Sequence, residues 1–187
     1  MIGAEPSELF RNSEARANIT ALRLVELLAQ SGRTLVLAES CTAGLVSDLV
    51  ARVNGASAVL WGSFVCYSPG AKELMLGIDG GFIARHGPVS REVAGEMAVR
   101  ALRKAGASFS GAVTGLAGPT GDGSATPVGT VWVAFALSGK PGAAEDPGAV
   151  LATERKICFP GNRAEVRMQA AVAVLEGLLN LAADTAN

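Results

Sequence analysis

A chain of 187 residues with 49% hydrophobic content is long enough to bury one sizeable core. A formal charge of −1 without a basic cluster speaks against a nucleic-acid binder, which needs a cationic surplus to displace counterions from phosphate. The single histidine, His86, excludes histidine-rich metal sites, and three widely spaced cysteines suit neither a disulfide framework nor zinc.

The opening MIGAEPSELF lacks the basic start and apolar run of a secretion signal. No stretch approaches the ~20 apolar residues of a membrane span. A cytoplasmic, reducing location with no membrane partner is therefore expected, with Cys66 and Cys158 as small core residues. Met1 to Gly32 reads as a ragged start and then an amphipathic helix, with Ile19, Leu22, Val25, Leu28 and Ala29 on one face. Thr34 to Ala38 is a short strand, and Thr42 to Val53 a helix closed by the Asn54-Gly55 turn. Val59 to Tyr67 is a second strand, and Ser68-Pro69 opens a short helix with serine as N-cap. Pro88-Val89-Ser90 introduces a helix whose buried faces carry Val93, Met97 and Ala101 beside Ala94, Ala98 and Leu102. Phe109 to Thr114 and Val128 to Leu137 are buried strands on either side of a glycine-rich loop. A polar loop from Ser138 to Gly148, a strand from Leu151 to Phe159 and a helix from about Arg163 to Ala183 complete the chain. Alternating strands and helices predict one layered α/β domain, and the two late strands without a helix between them make its sheet mixed.

Four segments carry chemistry. In LVLAESCTAG, Ser40 lies between a strand and a helix, where unpaired N–H groups and the helix dipole favour negative charge. An oxyanion beside it would be held by N–H groups of Cys41, Thr42 or Ala43, and Gly44 would admit a substrate close to the backbone. Taken alone, Ser40 or Thr42 serves equally as a helix cap, and Cys41 is a rival nucleophile. In FVCYSPGAKELMLG, Lys72 falls in the first helical turn, where the dipole and partial burial lower its pKa toward that of a general base. Tyr67, the only tyrosine, is placed to orient Lys72 or pass a proton, and His86 is a weaker candidate base. The loop TGLAGPTGDGSATPVGT, with Gly115 and Gly118 near its start, exposes backbone N–H groups suited to phosphate but matches neither the P-loop nor the dinucleotide fingerprint. In FPGNRAEVR, Arg163 follows a Pro-Gly turn within reach of a phosphate or carboxylate and shares a helix face with Arg167.

Together AESCTAG, YSPGAK, HGPVS, TGLAGPTG with PVGTVW, and FPGNR stand in the order and spacing of one family. From about Leu22 to Leu179 the chain resembles the C-terminal domain family of the competence/damage-inducible CinA proteins, whose stand-alone members are the nicotinamide-nucleotide amidases of the PncC type. That resemblance implies an α/β/α fold and hydrolysis of nicotinamide mononucleotide to nicotinic acid mononucleotide and ammonia. It implies a dyad of Ser40 and Lys72 with Tyr67, a polar residue at Thr114 and a binding arginine at Arg163. It implies no metal or organic cofactor, a small nucleotide as partner, and Glu39 and Thr114 assisting with ribose or ring. Two-domain relatives carry an N-terminal molybdopterin-binding-like domain, expected to be absent here. Ala43, Pro69 and Asn162 stand where the family motifs carry glycine, asparagine and aspartate, and the Ser138 to Gly148 loop is longer than usual. A non-catalytic nucleotide-binding or competence-associated module is the alternative, separated by ammonia release. A homo-oligomer is compatible with a small α/β enzyme.

Overall fold

The computed structural model describes residues 5–139, 148 and 150–185. Its strands are β1 (Leu35–Glu39), β2 (Leu60–Val65), β3 (Phe109–Gly115), β4 (Thr130–Leu137) and β5 (Val150–Cys158). They form one sheet in the order β2-β1-β3-β4-β5. β1 runs parallel to β2 and β3, whereas β4 is antiparallel to β3 and to β5, so the sheet is mixed as expected. Central β1 reads LVLAE with every residue buried, the pattern of a strand covered on both faces.

The helices are α1 (Glu8–Gln30), α2 (Leu45–Ala51), α3 (Pro69–Leu76), α4 (Gly80–His86), α5 (Arg91–Ala105) and α6 (Arg163–Asp184). On one face α1, α2 and α6 close a core through Leu24, Leu28, Leu49, Val174 and Leu175. On the other, α3, α4 and α5 close a second core through Leu76, Ile83, Met97 and Leu102. The result is a three-layer α/β/α domain. All six apolar residues assigned to the inner faces of α5 are buried, and Ser90 caps that helix by accepting from Val93 N at 3.2 Å.

Five expectations need correction. The buried stripe of α1 is Ala17, Ala21, Leu24, Val25 and Leu28, while Ile19 and Leu22 are exposed. Two overlapping stripes fit the same helical spacing, and the one rich in alanine lets α1 lie close along α6. α2 begins at Leu45 and not at Thr42, because the backbone first turns through positive φ at Ala43 (51°) and Gly44 (94°). α4 was not anticipated; Asp79, followed by two glycines, resembles a turn but caps a helix by accepting from Phe82 N at 2.8 Å. Cys158 is exposed on the edge strand, whereas Cys66 is buried as expected. Finally, α6 contains an 18-residue window of mean hydropathy 1.3, long and apolar enough for a membrane span by composition. Half of that window is buried against α1 and the sheet, which accounts for its apolar character. The Ser138 to Gly148 stretch lies mostly outside the described residues.

Candidate active site

The carboxyl ends of the three parallel strands meet at one place, where open α/β sheets characteristically bind ligands. Ser40 directly follows β1. Its N–H donates to Val113 O at 3.0 Å, and Cys66 N donates to Glu39 O at 2.7 Å, so the turn after β1 is held between the ends of β3 and β2. A cleft of about 270 Å³ opens there. Ser40, Cys41, Tyr67, Lys72, Thr114, Gly115, Gly118 and Arg163 all line it.

Lys72 Nζ donates to Ser40 Oγ at 2.8 Å and to Cys66 O at 3.0 Å. The two side chains come from helix and turn segments 32 positions apart. Ser68 caps α3 by accepting from Ala71 N, and Pro69 takes the first helical position, which places Lys72 on the inner side of the first turn. Lys72 is only 1% exposed, and no carboxylate pairs with it among the described residues. Burial pushes its ammonium below the ordinary lysine range. Cys66 and Cys41 would oppose this shift only as thiolates. Burial raises those two thiols to about 11 and about 12, so both are protonated at neutral pH and the lowering prevails. A hydroxyl hydrogen-bonded to an amine that has lost its proton is a nucleophile with its base in contact.

The remaining candidates divide between the cleft and its supports. Arg163 Nη1 donates to Gly118 O at 2.7 Å and Nη2 to the Tyr67 phenol oxygen at 2.6 Å. The phenol thus reaches Arg163, and the group that orients Lys72 is the Cys66 carbonyl. Of Tyr67, the backbone carbonyl alone meets Ser40, accepting from its Oγ at a long 3.5 Å. Thr114 Oγ1 donates to Pro88 O at 2.8 Å, tying the end of β3 to the segment before α5. Gly118 has φ +79°, and a Cβ there would come within 2.6 Å of Val128 Cγ1, so the loop requires glycine at that point.

Glu39, Thr42 and Gly44 do not line the cleft. Glu39 is fully buried behind it; its carboxylate accepts from Gly44 N, Val46 N and Ser47 N at 2.9–3.0 Å and from Ser63 Oγ at 3.3 Å. It caps α2 from the preceding strand, in place of the ribose or ring contact expected of it. Thr42 is fully buried, and its hydroxyl has no partner among the described residues. Gly44 supplies a turn conformation and not an approach for substrate. Because the Glu39 charge is matched only by these donors, Glu39→Gln would set an NH2 group against N–H groups and is expected to cost about 2–3 kcal/mol of stability, read by urea denaturation.

His86 lies against Phe82, with ring centroids 4.4 Å apart, and 3.9 Å from the Glu92 carboxylate, outside the cleft. Pro88 and Val89, a helix entrance and part of the HGPVS motif in the sequence, both line the cleft, as do Leu116, Thr120 and Asp122. The HGPVS motif was the available signal, but the bond from Thr114 that brings it to the site joins residues 26 positions apart.

Comparison with known proteins agrees with this architecture. A model of the CinA C-terminal domain matches residues 18–182. The chain is 39% identical over 153 residues to the nicotinamide-nucleotide amidohydrolase PncC of Escherichia coli K12, covering 82% of this chain and 87% of that protein. It is 38% identical over 167 residues to PncC of Enterobacter agglomerans, covering 89% and 96%. A CinA-like protein of Mycolicibacterium vanbaalenii is 43% identical over 145 residues, or 78% of this chain, and the match spans only 32% of that longer protein. Among solved structures, a competence/damage-inducible protein of Agrobacterium tumefaciens superposes with a TM-score of 0.80 at 30% identity, over 96% of this chain and 99% of that one. A CinA superfamily protein from Klebsiella pneumoniae gives 0.80 at 28% identity, over 90% and 98%. The match to the family model over most of the chain and the identity to relatives of similar length establish that this chain belongs to the CinA C-terminal domain family.

Proposed function

We propose that the chain is a nicotinamide-nucleotide amidase that hydrolyses the carboxamide of nicotinamide mononucleotide through a serine–lysine dyad. The observation that carries this reading is the 2.8 Å contact between Ser40 Oγ and a buried Lys72 that has no carboxylate partner among the described residues. The PncC relatives, named for amidohydrolysis of nicotinamide nucleotides, support the choice of substrate. Neutral Lys72 takes the Ser40 hydroxyl proton as Oγ bonds to the carboxamide carbon, giving a tetrahedral oxyanion held by backbone N–H groups after Ser40. Collapse breaks the C–N bond, and the Lys72 ammonium returns its proton to the departing nitrogen, releasing ammonia. Water then attacks the acyl ester; Lys72 takes its proton and returns it to Ser40 as nicotinic acid mononucleotide leaves. The phosphate would meet Arg163, whose guanidinium is braced by Gly118 O and the Tyr67 phenol, and the glycine-rich loop.

The reading is tested by ammonia release across nicotinamide mononucleotide, nicotinamide riboside and free nicotinamide. The nucleotide is expected to be preferred by at least ~10²-fold in kcat/KM, because a phosphate clamp adds charge-assisted hydrogen bonds. Binding of the nucleotide without ammonia release at any pH would favour a non-catalytic module instead. The raised thiols also make a prediction about the rival nucleophile. Iodoacetamide at pH 7.5 is expected to alkylate exposed Cys158 and leave ammonia release unchanged. Inactivation protected by substrate would transfer the nucleophile's role to Cys41.

A further inference from the structure

Arg167 stands one helical turn beyond Arg163 on α6, and nothing in the chemistry above uses it. Its Nε donates to Cys41 O at 3.1 Å and its Nη2 to Thr42 O at 2.6 Å, two consecutive peptide carbonyls immediately after Ser40. No carboxylate pairs with it among the described residues, so this partly buried cation is committed to backbone.

The consequence follows from the trans peptide, in which C=O and N–H point in opposite directions. With Thr42 O held by Arg167 and also by Leu45 N at 3.2 Å, the Ala43 N–H is turned the other way, onto Ser40 O at 3.0 Å. With Ser40 O so engaged, the N–H of Cys41 is turned away from that bond. Ser40 and Cys41 both line the cleft, and the Cys41 N–H donates to no other residue among those described. The turn does not hold this shape unaided. Ala43 sits at φ +51°, a conformation that a residue with a Cβ avoids, and Gly44 follows at φ +94°. Glu39 grips one side of it through the N–H groups of Gly44, Val46 and Ser47, and Arg167 grips the other through the two carbonyls. A carboxylate on the donors and a guanidinium on the acceptors together over-determine the strained turn.

We infer that Arg167 is a positioning residue for the reaction: by holding the Cys41 and Thr42 carbonyls, it aims the Cys41 N–H at the oxyanion forming beside Ser40. A charged donor on a peptide carbonyl also polarises that peptide, which strengthens the positive field around the oxyanion. This inference rests on the reading of Ser40 as nucleophile. The oxyanion exists in the transition state and not in the bound substrate, so the loss of Arg167 appears in kcat and not in KM. Arg163, one turn earlier, has the opposite signature, since a phosphate contact is present in the ground state.

The test uses the full chain with Arg167→Ala and Arg167→Lys. For Arg167→Ala, kcat for ammonia release is expected to fall by ~10²-fold with KM within about threefold of the parent. Arg167→Lys, which keeps the charge but not the two-pronged donor, should recover part of that loss. Pyridine-3-boronic acid, which forms a tetrahedral adduct with a serine hydroxyl, should bind the alanine variant more weakly by a similar factor, while affinity for nicotinic acid mononucleotide is unchanged. If the alanine variant does not fold, the same kcat, KM and boronate measurements on Arg167→Lys decide. A kcat within twofold of the parent, a loss confined to KM, or boronate and product affinities that weaken together would overturn the inference. Ammonia release that survives in Ser40→Ala would overturn it along with the dyad. Release that is lost in Ser40→Ala but keeps its kcat in Arg167→Ala would remove only the role of Arg167.

Discussion

Ser40→Ala is expected to lower the rate of ammonia release from nicotinamide mononucleotide by ~10⁴-fold or more. In the proposed mechanism the change deletes the atom to which the acyl group bonds, and no neighbouring group replaces it. The Cys41 thiol beside it, pushed up to about 12 by burial, is protonated at neutral pH. His86 lies outside the cleft and offers no alternative base. The fold should survive, because Lys72 keeps its bond to Cys66 O and the two side-chain hydrogen bonds lost are the one from Lys72 and the long one to Tyr67 O, the first worth about 1 kcal/mol. Binding of nicotinic acid mononucleotide should also survive, since the Arg163 end of the cleft is untouched. Thermal unfolding and product titration beside the ammonia assay therefore separate loss of chemistry from loss of structure. A variant that folds, binds product and still turns over at the parent rate would end the serine mechanism.

Lys72→Met should have the second large effect, and it acts in opposite directions on activity and on the pH dependence of stability. Methionine fills the same buried volume without a base, and kcat is expected to fall by ~10³-fold. The stability effect follows from the lowered pKa. Between the folded-state pKa and the ordinary value of ~10.4, the unfolded chain holds a proton on Lys72 that the folded chain has released. The parent's stability therefore rises with pH across that interval, by about 1.4 kcal/mol per pH unit at most. Below the folded-state pKa both the folded and the unfolded chain carry the proton, and the folded chain bears the full cost of burying the ammonium. Lys72→Met lacks this term, so its stability should exceed the parent's most on the acid side, with the difference narrowing as pH rises. Urea melts of both proteins from pH 6 to pH 10 measure it. In the parent, kcat/KM should rise with pH to a plateau with an apparent pKa below ~10.4, since the proposed mechanism requires the neutral amine.

The site was legible in the sequence where local signals met chemistry. Ser68-Pro69 places Lys72 four residues into a helix without any knowledge of the fold, and the strand LVLAE delivers Ser40 at its end. The division of labour around them was not legible, because it depends on pairings far apart in the chain. Glu39 looked like a substrate ligand beside the nucleophile. Its carboxylate is turned inward by N–H groups five to eight residues later and by Ser63 on the neighbouring strand. Tyr67 looked like a partner for Lys72, yet its phenol meets Arg163, 96 positions away. Arg167 lies 126 residues from the carbonyl it holds, and nothing in the FPGNRAEVR segment distinguishes it from a surface arginine. The fold was similarly uneven. Buried strands declared themselves by composition, whereas the inner stripe of α1 depended on which alanines allow α6 to approach.

For the proposed dyad to work, Lys72 beside Ser40 must give up its proton at a lower pH than a solvated lysine does. The chain has four lysines, Lys72, Lys104, Lys140 and Lys156, so a protein labelled with carbon-13 at lysine Cε gives a spectrum simple enough to assign through Lys72→Met. Titration from pH 5 to pH 11 should show the Lys72 signal changing with a midpoint below the ~10.4 of a lysine in a model peptide, because burial disfavours its ammonium. A Lys72 signal that titrates at or above that ~10.4 would contradict the account.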